Sequence, residues 1–336
     1  MESFRSNLQR DYENKKIRNL QEAIRDSFRS YFIEKGYLTH NSIPIISQED
    51  KTVMFTSSST NVIKPTVISG DYPLVGFIVS QECLRNHALK YAFNNNWLPF
   101  GQAYFNISSI LSKPGRFSEV FKEALEYTTK HLEVNPADII IRSTNKLDKL
   151  KDIDKHTNLK VEYDTKNKKY YQWNYGIPNV HGEGLTISIK NTSENSYLDV
   201  GNIVRFIDNK NNERGIEFGY GHEFLLSSLV GAKNPLALSQ IFELFPFNSD
   251  LSSKYYGYLE VIGRIKKAKS ENIRVNKSAR RTYKKYLESA KYMGDSLGKD
   301  TKTIISELSK FCEYISCPTD FKLEKRRLDE FIDKKV

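Results

Sequence analysis

The chain has 336 residues, long enough for one large domain or two of ordinary size with a substantial core, and one domain plus a smaller second is expected. Its formal net charge of +10, from 51 Lys and Arg against 41 Asp and Glu, favours a polyanionic partner. Three cysteines, Cys83, Cys312 and Cys317, give neither an even disulfide set nor a metal-ligand spacing, so a reducing, cytoplasmic setting without a metal site is expected.

In chain order, Ile17, Leu20, Ile24, Phe28, Tyr31 and Phe32 recur at helical steps and predict an amphipathic helix stopped at Gly36. KTVMF reads as a strand and SQECLRNHALKYAF as a helix. The aromatic segment WLPFGQAYFNIS precedes the helix FSEVFKEALEYTTKHLEV. The β-branched runs DIIIRS, LKVEY, KYYQWNY, LTISI and YLDVGNIVRFI then succeed one another, separated by turn residues. GIEFGYGHEFLLSSL passes from strand to helix through a glycine-rich corner, which suits either a nucleotide site or a tight turn. After residue 235 the pattern is helical: PLALSQIFELF, KYYGYLEVIGRIKKAK, KSARRTYKKYLESAKYM, TKTIISELSKFCEYI and FKLEKRRLDEFI. The expectation is an α+β domain over residues 1–245, with a largely antiparallel sheet flanked by helices, followed by a helical domain over 246–336. No apolar run approaches the roughly 20 residues that span a bilayer, and MESFRSNLQRDYENKK lacks a signal core, so no membrane partner is expected.

Basic residues gather in the helical part: Arg264, Lys266, Lys267, Arg280, Arg281, Lys284 and Lys285 stand among few acids. Such a cluster neutralises RNA phosphates or simply solvates a helix face, and charge by itself does not separate the two. Tyr255, Tyr256, Tyr258, Tyr283 and Tyr286 are interleaved at spacings that suit base stacking, though core packing is the commoner use of such tyrosines.

The order of these segments resembles the catalytic part of the alanyl-tRNA synthetases, a branch of the class II aminoacyl-tRNA synthetases. FRSYFIEKGYLTHNSIPIISQEDKTVMFTSSSTNVIKP is similar to that family's first motif, with Phe55, Thr56, Asn61, Lys64 and Pro65 in register. SQECLR resembles the family's SQRCVR, KYYQWNYG its NFWEMG, YLDVGNIVRF its FLEIWNLVFM, and GIEFGYGHEFL its third motif, VDTGMGLERL. The resemblance implies an antiparallel sheet with the active site on its open face, and self-association as a homodimer through the first motif.

On this resemblance the nucleotide site is degenerate. Phe224 stands where an arginine stacks on adenine, Gln102 where a glutamate binds the adenine amino group, and Asn96 where an arginine holds the α-phosphate; Gly219 and Gly221 keep the glycines of the third motif. A phenyl ring stacks but carries no charge, and a neutral amide does not stabilise a developing phosphoryl charge as arginine does. Arg85 and Arg116 are the arginines in place to substitute. The amino-acid pocket is better kept: Trp173 matches its walling tryptophan, Asn202 and Val204 its contacts, and Glu217 the acid that pairs with the substrate ammonium. His181 and Glu183 offer an acid–base pair in a loop that departs from the family pattern.

The kept pocket, the degenerate nucleotide site and the basic helices together lead to the expectation of a protein that binds tRNA or aminoacyl-tRNA with a small amino acid such as alanine. It is read first as an aminoacyl-tRNA-using acyl transferase outside translation, which needs no cofactor. The alternatives are an ATP- and Mg-dependent ligase forming an aminoacyl adenylate, and a noncatalytic RNA-binding pseudosynthetase.

Overall fold

The computed structural model describes residues 3–46, 48, 53–91, 93–94, 103–147, 150, 153–163, 168–191, 193–247, 249–271, 273 and 275–332. The chain divides into two compact units. The first comprises Met1–Ser42, Ser58–Gln81 and Asn106–Lys233; the second comprises Ile43–Ser57, Glu82–Phe105 and Asn234–Val336. The sequence predicts a single boundary near residue 245, whereas the second unit begins its last stretch at Asn234 and also draws in two earlier segments.

In the first unit, helices α1 (Phe4–Glu13) and α2 (Ile17–Glu34) are followed by the short strand β1 (Leu38–Thr39). Gly36, at φ +89°, ends the α2 region in a left-handed turn that disfavours a side chain. Helix α3 (Thr60–Ser69) likewise stops at the left-handed Gly70. Strands β2 (Gly76–Leu84) and β3 (Tyr104–Ser112) lead to helix α4 (Phe117–Glu126), which runs on into a wider turn at Tyr127–His131. Strands β4 (Ile139–Ser143), β5 (Lys160–Tyr163), β6 (Gln172–Ile177), β7 (Val180–Asn191), β8 (Ser196–Asp208) and β9 (Glu213–Gly221) come next, then helix α5 (His222–Val230). The sheet order is β1-β2-β3-β9-β8-β7-β4-β5, with β6 paired to β7. The β3–β9, β9–β8, β8–β7, β7–β4 and β7–β6 pairs are antiparallel, and β1–β2 and β4–β5 are parallel. This is the α+β class read from the sequence.

Alternation along a strand sends successive side chains to opposite faces. On one face Phe218 meets Phe28 and Phe32 of α2 at centroid distances of 5.9 Å, and Tyr220 meets Tyr127 at 6.3 Å. These rings are buried, and they explain the apolar stripe of α2. The opposite face carries the expected site residues.

The second unit holds α6 (Asp250–Ser270), α7 (Lys277–Ser296), α8 (Thr301–Tyr314) and α9 (Lys322–Ile332). Ser249, Asn276 and Asp300 cap the first three through side-chain bonds to the N3 amides. Ile45, Ile46, Phe55, Leu84 and Tyr104 belong to the same apolar core as Leu259, Ile262, Tyr283 and Phe311, which is why these early segments fold with the helices.

Three local expectations are corrected. KTVMF forms no strand in its described part, only an isolated bridge between Phe55 and Ile46. SQECL is the end of β2, and among the described residues of this segment a short 3-10 turn, His87–Tyr91, comes after it; the buried Ile78, Val79, Cys83 and Leu84 suit a strand covered on both faces. PLALSQIFELF makes two 3-10 turns, Pro235–Leu238 and Gln240–Glu243. No helix among the described residues is long and apolar enough to cross a membrane.

Candidate functional site

Strands β7, β8 and β9 align two rows of side chains on the face opposite α2. In the first row Gly184 lies beside Val204, and Val204 beside Glu217. In the second, Thr186 lies beside Asn202, Asn202 beside Gly219, and Gly219 beside Ser109 of β3. The Trp173 ring covers Gly184 so closely that an added Cβ there would come within 3.0 Å of it. Trp173, Val204 and Glu217 therefore lie on one side of the sheet, with Asn202 and Gly219 one step along the strands.

Glu217 is buried, and its two oxygens accept hydrogen bonds from Ser59 Oγ at 2.5 Å and Thr60 Oγ1 at 3.0 Å. Those hydroxyls open α3, so the carboxylate sits at the positive end of a helix. Burial raises the Glu217 pKa, and the two hydroxyl bonds oppose that rise. Thr186 Oγ1 donates to Asn202 Oδ1 at 2.9 Å, and Ser109 Oγ is buried with no hydrogen-bond partner among the described residues. Sequence reasoning misses Ser59 and Thr60, although the TSSST run before NVIKP is a helix-start signature that could have placed them.

The corner after β9 resolves into a strand-to-helix turn in which two of three side chains are structural. His222 is buried, with Nε2 2.8 Å from Ser108 Oγ, and burial followed by the charge of Arg25 pushes its pKa down to about 3. Buried Glu223 accepts from the Asn106 backbone N–H at 3.1 Å, from Asn106 Nδ2 at 3.0 Å and from Gln21 Nε2 at 3.3 Å. Phe224, half-buried, is the third member, and Gly221 is the N-cap of α5. None of these side chains supplies a cation, so the turn does not fit a triphosphate in the way the resemblance describes. Asn96 and Gln102 lie outside the described residues.

His181 and Glu183 do meet, with Nε2 3.1 Å from Oε1, and Gln172 Nε2 also donates to Glu183 at 2.8 Å. Alternation along β7 puts both on the face opposite Gly182 and Gly184, away from the Trp173–Glu217 row. Arg85 belongs to the second unit, where its guanidinium covers the Phe105 ring at 4.7 Å and donates to the Ser57 carbonyl at 3.0 Å. Arg116 is tied to Glu123 at 3.3 Å.

Within the second unit the basic set splits. Arg264, expected on an RNA face, is buried: it donates to Gln240 at 2.7 Å, pairs with Glu82 at 3.4 Å and Glu260 at 3.7 Å, and covers the Tyr104 ring at 4.3 Å. Lys266 is held by the Asp320 carbonyl and by Glu324 at 3.6 Å. Lys267 is half-buried, while Arg280, Arg281, Lys284 and Lys285 are exposed on α7. All five interleaved tyrosines are buried, so they pack the core and offer no stacking platform.

Residues 23–90 match the family model described as tRNA synthetases class II (A). The alanine–tRNA ligase of Bacteroides thetaiotaomicron is 31% identical over 130 residues, and that of Thermus thermophilus is 30% identical over 124; each match covers 34% of this chain and 13% of the relative. Among solved structures, the aspartyl tRNA synthetase of Entamoeba histolytica is similar with a TM-score of 0.40 and 9% identity, over 67% of this chain and 57% of that one. Over residues 23–90 the chain is thus similar to the class II (A) tRNA synthetases, and over about a third of its length to the alanine–tRNA ligases.

Proposed function

We propose that this protein holds the small aminoacyl group of an aminoacyl-tRNA on the Trp173–Val204–Glu217 face and passes it to an acceptor outside translation. The observation that carries the reading is the alignment of these three residues on one glycine-lined sheet face. An ionised carboxylate has about four lone-pair sites. Ser59 and Thr60 use two of the positions on Glu217, which leaves capacity for an ammonium group. Trp173 and Val204 then bound a side chain the size of alanine's. The second unit, with its exposed basic α7, is the part that takes the RNA.

The ester is already activated, so no nucleotide is required. A nucleophilic oxygen or nitrogen of the acceptor attacks the ester carbonyl, the bond to the ribose oxygen breaks, and the acceptor's proton ends on that oxygen as the tRNA leaves. The neutral turn at Phe224 supports this over adenylate formation.

The test is incubation with radiolabelled Ala-tRNA and candidate acceptors, beside an amino-acid-dependent pyrophosphate exchange assay. Acceptor-dependent loss of ester with no exchange is expected. Exchange stimulated by alanine, serine or glycine would replace this reading with the ATP-dependent ligase. RNA binding unaffected by changes at Trp173 and Glu217, with no chemistry in either assay, would leave a noncatalytic RNA-binding protein.

A further inference from the structure

A cavity of about 450 Å³ in the second unit is lined by Met54, Asn86, Leu89, Lys90, Ser278, Arg281, Thr282 and Lys285. That volume lies within the range of small-ligand sites. Ser278, Arg281, Thr282 and Lys285 recur at steps of three and four along the first turns of α7, so they share one helix face. Asn86, Leu89 and Lys90 come from the segment after β2, and Met54 is held in the wall by a contact of 3.3 Å between its sulfur and Thr282 Oγ1. Three cations and three neutral polar side chains thus converge, and among the described residues no acid lines the cavity.

The charges are poorly placed for a bare helix. Arg281 and Lys285 are like charges four residues apart, and the first turn of α7 contains no acid to meet the positive end of the helix. Lys284 and Lys291 of the same helix have carboxylate partners, Glu288 at 3.6 Å and Asp295 four residues on. Among the described residues Lys90, Arg281 and Lys285 have none within ion-pair distance. An anion with several acceptor oxygens removes this repulsion and uses the planar fork of Arg281 together with the Ser278 hydroxyl.

We propose that this cavity is a phosphate-group site, in which Lys90, Arg281 and Lys285 surround one phosphate. It deepens the RNA half of the proposed function, on which it rests for its first source of phosphate, the RNA backbone. A free mononucleotide is the other source.

The full chain is tested by fluorescence anisotropy with a labelled RNA hairpin and by calorimetric titration with 5′-AMP. The site variant is Lys90→Ala/Arg281→Ala/Lys285→Ala. The control, Lys302→Ala/Lys310→Ala/Lys325→Ala, removes the same charge from exposed positions elsewhere in the unit. Loss of about tenfold or more in RNA affinity in the site variant alone, with a log–log salt dependence shallower by about 2, is expected. AMP binding that the site variant loses, without RNA binding, supports the site with a free nucleotide and removes the RNA reading. RNA binding equal in wild type and site variant, or weakened equally in the control, overturns the site and leaves the RNA reading standing. A wild type that binds neither probe overturns both.

Discussion

Ser59 donates its hydroxyl to Glu217 at 2.5 Å, so the first turn of α3 closes on a carboxylate that β9 delivers to the sheet face. Burial raises the Glu217 pKa, meaning the folded chain holds this proton more tightly than the unfolded one. The stabilising share of that linkage is complete below the unfolded carboxylate range, near pH 4.3, and is lost as pH rises through the folded value. Glu217→Gln is therefore expected to raise Tm at neutral pH and to lose the advantage below about pH 4. Thermal melts across pH check this, and an advantage independent of pH would refute the linkage. The same variant is expected to abolish retention of amine-bearing ligands while keeping that of their deaminated analogues.

His222 pulls the other way. With its pKa pushed down to about 3 by burial, it stays neutral in the fold while the unfolded imidazole takes up a proton below about pH 6.5. Stability then falls with acidification by up to about 1.4 kcal/mol per pH unit from this group, and His222→Gln is expected to flatten that slope between about pH 6 and pH 4. Urea titrations at stepped pH measure it. A variant with the wild-type slope would move the acid sensitivity to other groups.

Gly184 admits no side chain. A Cβ there would lie 2.2 Å from the Ile203 carbonyl oxygen and 3.0 Å from both the Trp173 ring and Val204 Cα. Gly184→Ala is expected to cost about 1–3 kcal/mol and to displace Trp173. Chemical denaturation together with tryptophan fluorescence reads both effects.

Arg264 and Arg281 separate structural from functional charge. Arg264→Ala takes the guanidinium away from buried Glu260 and is expected to cost about 3–5 kcal/mol of stability. Arg281→Ala, at an exposed position, is expected to stay within about 0.5 kcal/mol while weakening RNA binding. Parallel melts and anisotropy titrations decide between these roles.

The strand-to-helix passage through GIEFGYGHEF is legible in the sequence because glycines and helical spacing meet at one point, and the runs of β4 to β8 announce themselves through β-branched residues. SQECL is not legible, because Leu84 and Ala88 mimic helical spacing while the pairing that makes β2 a strand comes from distant residues. Arg264 is misplaced for the same reason: its compensating Glu82 and Gln240 lie elsewhere in the chain, so local sequence shows only a cation on a helix. The Trp173–Val204–Glu217 row is legible in the sequence only through the family resemblance; no local pattern joins it, since it draws one residue from each of three strands that the sheet register brings together.

The second unit is assembled from three stretches of chain, two of them enclosed by the first unit's sequence. No single cleavage can release it whole, and a fragment starting at residue 246 would lack Ile45, Ile46, Phe55, Leu84 and Tyr104 from its own interior. A truncated tail of this kind is a poor tool for studying RNA recognition. Point changes in the intact polypeptide are the sound way to divide the labour between the two halves.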